Sequence, residues 1–114
     1  MFWILVLGLL SPFVAAESSN GPLLQELFVP KNLKENQTTR LVCSIVQGDA
    51  VDFQWFLNDK KLDQNDRRRI VSHEELSELV IKSLSIDDLG DYKCIVQNKY
   101  GQDVQKASLV FNGM

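Results

Sequence analysis

Two cysteines, one histidine and a run of arginines are the residues of this chain that could support chemistry. Cys43 and Cys94 are its only cysteines and His73 is its only histidine. His73 has no second ligand at a useful spacing, so the sequence offers no zinc site and no histidine-based relay. No glycine-rich phosphate loop is present. We therefore expect no enzymatic activity, no cofactor and no metal.

The first 16 residues contain no charged residue and end in Val14, Ala15 and Ala16. An apolar run followed by small residues predicts a secretory signal peptide over residues 1–16, although no lysine or arginine precedes it. A transmembrane anchor is the alternative, but it needs about 20 apolar residues, and Ser11 and Pro12 interrupt the run. We expect a protein that is secreted or lies on the extracellular face of the plasma membrane, attached only through an anchor further downstream.

The predicted route through an oxidising compartment favours one disulfide between Cys43 and Cys94. Closing a loop of about 50 residues would destabilise the unfolded chain by about 4 kcal/mol. This is a large share of the stability of a small domain.

Length and composition indicate one ordinary globular domain. The chain has 114 residues, 45% of them hydrophobic and 24% charged, and a formal net charge of −3. Such a balance gives no electrostatic reason to expect a nucleic-acid partner. We expect a flexible N-terminal stub over residues 17–22 and a single domain over residues 23–112.

Short segments with period-two alternation are the elements that must position the cysteines. The segments that we predict as strands are Thr39–Gln47, Asp52–Leu57, Glu78–Ile86, Tyr92–Val96 and Ala107–Phe111. Turn residues separate them at Gly48–Ala50, Asn58–Lys61 and Asn98–Gly101. Short strands at this spacing predict an all-β sandwich or barrel. A helix over Ser72–Leu84 is the alternative for that segment, because it contains good helix formers and an N-cap serine.

The alternation places Cys43, Trp55 and Cys94 on the buried faces of three strands, with Tyr92 two positions before Cys94. This constellation resembles the signature of the immunoglobulin superfamily. The run from Leu79 to Cys94 is similar to the same family at its marker positions, which are Leu79, Asp88, Gly90, Tyr92 and Cys94. The resemblance implies a two-sheet Greek-key sandwich with one disulfide between the sheets. It also implies that Asp88 pairs with Arg68 or Arg69, and that Gly90 permits a tight corner.

The spacing of 51 residues between the cysteines resembles the I-set of this superfamily. The segments 48–55 and 76–84 are similar to domains of the Down syndrome cell adhesion molecule family. This resemblance implies a cell-surface recognition or adhesion module that binds copies of itself or related immunoglobulin domains in neural or immune recognition. A soluble secreted binder of immune or growth-factor ligands is the alternative. An intracellular muscle scaffold has the same fold but conflicts with the predicted signal peptide.

Outward apolar residues are the candidate binding surface. We expect Val42, Val46 and Val80 to face solvent on one sheet, framed by Arg40 and Lys82, and this cluster is the candidate interface. Phe56 and Ile95 should face solvent on the other sheet. Arg67–Arg69 could bind an anion such as heparan sulfate, but acidic neighbours favour a solvated face with one internal salt bridge.

Asn36 begins an Asn-Gln-Thr triplet in the turn before the strand at Thr39. Such a triplet is an acceptor for N-linked glycan, and a glycan in an exposed turn would not disturb packing. A chance occurrence of the triplet is the alternative. We expect Asn36 to be glycosylated.

Overall fold

A computed structural model describes residues 20–50 and 52–111. The predicted signal peptide over residues 1–16 lies outside the described residues. The elements in chain order are β1 (Leu23–Leu24), β2 (Thr39–Gln47), β3 (Asp52–Leu57), β4 (Lys60–Lys61), β5 (Arg68–Ser72), β6 (Leu76–Ile81), a 3₁₀ helix (Ile86–Asp88), β7 (Gly90–Asn98) and β8 (Gly101–Leu109). No helix among these residues is long and apolar enough to cross a membrane.

The strands form two antiparallel sheets of four. Sheet 1 has the order β1-β2-β6-β5, and sheet 2 has the order β4-β3-β7-β8. The predicted all-β, two-sheet sandwich is therefore confirmed. The helix considered for Ser72–Leu84 is wrong, because the middle of that segment forms β6, which pairs with β2 on one side and β5 on the other. Pairing on both sides outweighs the local helix preference of this segment.

Two parallel cross-links join the sheets at the centre of the core. The predicted disulfide is confirmed, since Cys43 on β2 is bonded to Cys94 on β7 across a Cα–Cα distance of 6.4 Å. Trp55 is the strand partner of Cys94, and Ser77 is the strand partner of Cys43. The indole nitrogen of Trp55 donates a hydrogen bond of 2.9 Å to the Ser77 hydroxyl. The covalent link and the hydrogen bond thus lie side by side between the same two pairs of strands.

The core consists of the inward residues of both sheets. Its fully buried members include Leu41, Leu79, Ile81, Leu84, Tyr92, Val96 and Leu109. β6 ends at Ile81, earlier than predicted, because the chain turns at Ser83 (φ 51°) and enters the 3₁₀ helix. Leu84 remains buried, whereas Ile86 is 67% exposed.

The corner at Gly90 requires glycine for two reasons. Its φ is 145°, which side chains rarely adopt. A Cβ at this position would also lie 2.7 Å from the Asn58 side-chain oxygen. That oxygen accepts a hydrogen bond from the Asp91 backbone N–H at 3.0 Å, so the turn after β3 is fixed against the start of β7.

Residues 20–22, the described part of the predicted N-terminal stub, lie against the sheets. Pro22 is buried, and the side chain of Asn98 donates a hydrogen bond to the Asn20 carbonyl at 3.2 Å. Residues 20–22 therefore contact the domain rather than extending from it. At the other end, Phe111 forms a parallel bridge with Leu33.

Candidate functional site

The carboxylate of Asp88 lies fully buried at the end of the 3₁₀ helix, where two arginines reach it. Arg67 donates to it from both terminal guanidinium nitrogens, at 2.8 and 3.0 Å. Arg68 adds a third contact at 2.8 Å. The backbone N–H of Ser85 donates a further hydrogen bond of 2.9 Å to the same carboxylate. The lone pairs of Asp88 are therefore occupied by the protein's own donors.

The alternation of side chains along β5 determines which of its arginines contacts Asp88. On β5, Arg68 pairs with the inward Ile81, whereas Arg69 pairs with Val80 on the opposite face. The expectation that Asp88 pairs with Arg68 or Arg69 is therefore confirmed with Arg68 as the partner, whereas Arg69 points away from the carboxylate. Sequence reasoning missed Arg67, which precedes β5 and reaches Asp88 from the loop. The alternation of β5 could have separated Arg68 from Arg69, but no sequence signal identified Arg67.

The environment of Asp88 determines its charge state. Burial alone would raise its pKa, but the hydrogen bonds from Arg67 and Arg68 outweigh burial and hold the pKa of this carboxyl well below its usual range. The hydrogen bond to Asp88 raises the pKa of Arg67 in turn. Asp88 is therefore an anion throughout the physiological range and serves as an internal structural charge.

Tyr92 completes this corner. Its hydroxyl donates a hydrogen bond to the Asp88 carbonyl, and its side chain is fully buried on β7. Burial raises the pKa of Tyr92 to about 12. Because these donors and acceptors satisfy one another inside the fold, the corner has a structural role, and a binding surface must lie elsewhere.

Seven outward side chains on sheet 1 form two neighbouring rows across the strands, and we call these seven the outer face of sheet 1. The first row consists of Phe28, Val42, Glu78 and Val71. The second row consists of Arg40, Val80 and Arg69. Residues that pair across strands share one face of a sheet. The intervening Leu41 and Leu79 point into the core.

Apolar groups on this face are open to solvent. Phe28 is 58% exposed and Val71 is 39% exposed, and Val42 between them is half-buried. Sequence reasoning missed Phe28 because it belongs to an isolated bridge rather than to a strand with visible alternation. Two apolar side chains on the outside of one sheet with another between them make a candidate contact surface.

The predicted interface residues are only partly brought together. Arg40, Val42 and Val80 are neighbours on the outer face of sheet 1. The prediction that Val80 faces solvent is wrong, because it is only 7% exposed. It lies directly between Arg40 and Arg69, whose long side chains flank it. Val46 and Lys82 are exposed but lie at opposite ends of the sheet.

The charged groups of this face are only loosely paired. Arg40 approaches Glu78 to 4.0 Å, with side chains 57% and 33% exposed. This separation exceeds hydrogen-bond length. Both groups therefore remain available to an incoming partner.

The outer face of sheet 2 offers less exposed apolar surface. Phe56 and Ile95 are half-buried rather than fully open to solvent. The Lys93 ammonium lies 4.9 Å from the centre of the Phe56 ring and 3.3 Å from Asp59. Phe56 is therefore partly covered by the chain itself.

The predicted glycosylation acceptor Asn36 and the histidine His73, at which no site was predicted, both lie in exposed turns. Asn36 is exposed at φ 67°, and its backbone N–H donates to the Leu84 carbonyl at 2.8 Å. His73 is exposed in the turn between β5 and β6. Across residues 20–50 and 52–111, no group of three or more potential ligands is arranged to hold a metal ion.

The chain matches a protein family model and is similar to several known proteins. Residues 22–111 match the family model for the Immunoglobulin I-set domain. Zwei Ig domain protein zig-4 of Caenorhabditis elegans is 38% identical over 69 residues, covering 60% of this chain and 25% of that protein. Cell adhesion molecule Dscam1 of Drosophila melanogaster is 28% identical over 98 residues, covering 82% of this chain and 5% of that protein. The chain thus spans a quarter or less of each relative.

Solved structures show the same fold. The titin M4 domain has a TM-score of 0.74 at 18% identity, covering 82% of this chain and 98% of that one. The Dscam1 Ig7 domain has a TM-score of 0.73 at 23% identity, covering 82% of this chain and 99% of that one. The resemblance inferred from Cys43, Trp55, Tyr92 and Cys94 is confirmed. The family and these neighbours are mostly structural or binding modules.

Proposed function

Because the chain belongs to the immunoglobulin I-set family, we propose that it is a recognition module that acts outside the cell by binding another protein through the outer face of sheet 1. The observation that carries this proposal is the exposure of Phe28 beside Val42 on that face. Aromatic side chains are enriched at protein interfaces and supply much of their binding energy. Related immunoglobulin domains are the first partners to test.

Two features of the chain support an extracellular location. Residues 1–16 have the composition of a signal peptide. The Cys43–Cys94 disulfide is of the kind that persists in oxidising compartments. A scaffold role inside muscle cells, suggested by the titin-like neighbours, fits these two features less well. Adhesion, which the name of Dscam1 states for that protein, would require display at a cell surface, whereas a soluble secreted binder would not.

Secretion and binding can be tested with one expressed product. We expect cells expressing the full chain to release a protein that begins at Glu17 and carries glycan at Asn36. Labelled secreted protein should bind candidate cells or purified immunoglobulin-type receptors. Phe28→Glu should abolish that binding, because it places a charge at the most exposed apolar position of the face.

Ile86→Glu is the matched control, since Ile86 is equally apolar and 67% exposed but lies outside this face. Binding that survives Phe28→Glu and is lost with Ile86→Glu would contradict the choice of face. Retention inside the cell with an intact N-terminus would contradict the extracellular role.

A further inference from the structure

Three lysines that are distant in the sequence meet in one row across sheet 2. Lys61 on β4 and Lys93 on β7 both pair with Phe56 on β3. Lys106 on β8 pairs in turn with Lys93. Residues that pair across strands share one face of a sheet, and Trp55, next to Phe56, points into the core. The four side chains therefore lie on the outer face of sheet 2, and we call them the lysine row. Neighbouring strands are about 4.8 Å apart, so the row is about 14 Å long.

Electrostatic interactions within the row oppose folding. Lys93 and Lys106 are directly opposite each other on β7 and β8, and like charges at such positions lower stability. Lys61 and Lys106 are exposed, and neither forms an ion pair with any residue that the structure describes. Lys93 approaches the carboxylate of Asp59 at 3.3 Å, but that side chain is 90% exposed. Because an exposed pair of this kind contributes little, the charges of the row remain available to an anionic ligand.

A cleft of about 520 Å³ opens beside the row. Lys93 and Lys106 line it together with the next pair along the same two strands, Asp91 and Ser108, and with Asn58. The Ser108 hydroxyl donates to one oxygen of Asp91 at 2.6 Å. Ammonium groups attract sulfate, whereas carboxylate, amide and hydroxyl groups form hydrogen bonds with the hydroxyl groups of a sugar. The cleft therefore offers the polar groups that a sulfated saccharide needs, while Asp91 would repel a ligand that carries anionic groups alone.

From the lysine row and this cleft we propose that the outer face of sheet 2 binds a sulfated polysaccharide, which lies along the row with sulfate groups at its three lysines. This site is separate from the protein-binding face on sheet 1. A protein partner fits sheet 2 less well, because lysines are depleted in protein interfaces and the apolar Phe56 and Ile95 are half-buried. Anionic lipids are concentrated in the cytoplasmic leaflet, whereas sulfated polysaccharides are displayed outside cells.

The arginine run is a poorer anion site, although its charges are contiguous in the sequence. Arg67 and Arg68 both contact the buried Asp88 at 2.8 Å, so only Arg69 is left for an external anion. The lysine row has no counterpart in the sequence pattern, because its lysines come from three strands and only the register of sheet 2 brings them together.

Binding of the secreted chain to immobilised heparin over a series of salt concentrations tests the site. Release of slightly less than one counterion per neutralised lysine predicts that the affinity falls roughly twenty- to fortyfold between about 50 and 200 mM salt. The double variant Lys93→Gln with Lys106→Gln leaves one lysine in the row, so its affinity should be weaker and should fall only about threefold over the same range.

The double variant Lys31→Gln with Lys34→Gln is the matched control, because it removes the same charge from two exposed lysines that precede β2 and lie outside the row. It should keep the full salt dependence. Asp59→Asn should strengthen heparin binding by about threefold, since an exposed ion pair then no longer competes for Lys93. A variant that had merely lost its fold would not bind more tightly. Thermal unfolding of each variant establishes that it is folded.

Three results would overturn this site. They are a wild-type chain that does not bind heparin at the lowest salt, an equal loss of salt dependence in the two double variants, and equal binding of polyglutamate and heparin, which would indicate an acidic peptide as the ligand. Phe28→Glu should bind heparin as the wild type does, because Phe28 lies on sheet 1. Failure of heparin binding would therefore leave the proposed protein-binding function standing, and loss of receptor binding would leave the polysaccharide site standing.

Discussion

Arginine meets a carboxylate in two regions of this molecule, with different geometry. At the corner before β7, Arg67 and Arg68 contact the fully buried Asp88 at 2.8 Å. On the outer face of sheet 1, Arg40 and Glu78 stay 4.0 Å apart and open to water. A buried ion that loses its partner is costly, whereas an exposed pair contributes little to stability. The same chemistry therefore serves the fold in the first region and remains available for binding in the second.

The largest effect should come from breaking the buried region. Asp88→Asn keeps the shape of the side chain but removes the charge that Arg67 and Arg68 contact. We expect it to lower the free energy of unfolding by about 3 kcal/mol, because the hydrogen-bonded charges around a buried ion lose their compensation. Denaturant unfolding of the secreted chain would measure this difference.

Asp87→Asn is the control for this substitution. Asp87 is the adjacent residue of the same 3₁₀ helix but is exposed, so its replacement should change the free energy of unfolding by less than about 0.5 kcal/mol. Equal losses for the two variants would show that burial of Asp88 is not what distinguishes the corner from the outer face.

Alkaline pH should lower the free energy of unfolding, because it favours deprotonation of Tyr92, which the folded state disfavours. Burial raises the folded-state pKa of Tyr92 to about 12, whereas the pKa of a tyrosine in an unfolded chain is about 10. The unfolded chain therefore releases the Tyr92 proton first, so stability is complete below about pH 10 and is lost as the pH rises towards 12. The loss should reach about 2 kcal/mol.

Tyr92→Phe isolates this contribution. The variant should lose about 1 kcal/mol at neutral pH, because the Asp88 carbonyl loses its donor, but it should lack the part of the alkaline decline that comes from Tyr92. Tyr100→Phe is the control, since Tyr100 is 46% exposed. An alkaline unfolding profile that is identical in the Tyr92→Phe variant and the wild type would contradict burial as the cause.

The buried region was more predictable from sequence than the outer face. Cys43, Trp55 and Cys94 were placed correctly because period-two alternation and one disulfide leave few arrangements of two sheets. The sequence left Arg68 and Arg69 as alternative partners of Asp88, because the choice between neighbouring residues depends on the register of a single short strand. Arg67 reaches the same carboxylate from a loop, whose path no periodicity encodes.

Prediction of the outer face depended on contacts between segments that are distant in the chain. Val80 was expected to be exposed because alternation gives its direction but not the length of the side chains beside it. Phe28 was missed because its single bridge to Val42 is a tertiary contact without a local pattern. Binding surfaces are therefore harder to predict than cores, because period-two alternation gives the direction of an outward side chain but not how far its neighbours cover it.

The smallest effect on stability should come from neutralising the exposed pair. Glu78→Gln removes one charge at the centre of the outer face and should change the free energy of unfolding by less than about 0.5 kcal/mol, because Arg40 remains hydrated without it. The same substitution should weaken binding of a protein partner to the outer face of sheet 1, since it removes the one carboxylate of that face. A variant that is clearly destabilised but binds its partner normally would place Glu78 with Asp88 as a structural charge, and the contrast between the two regions would disappear.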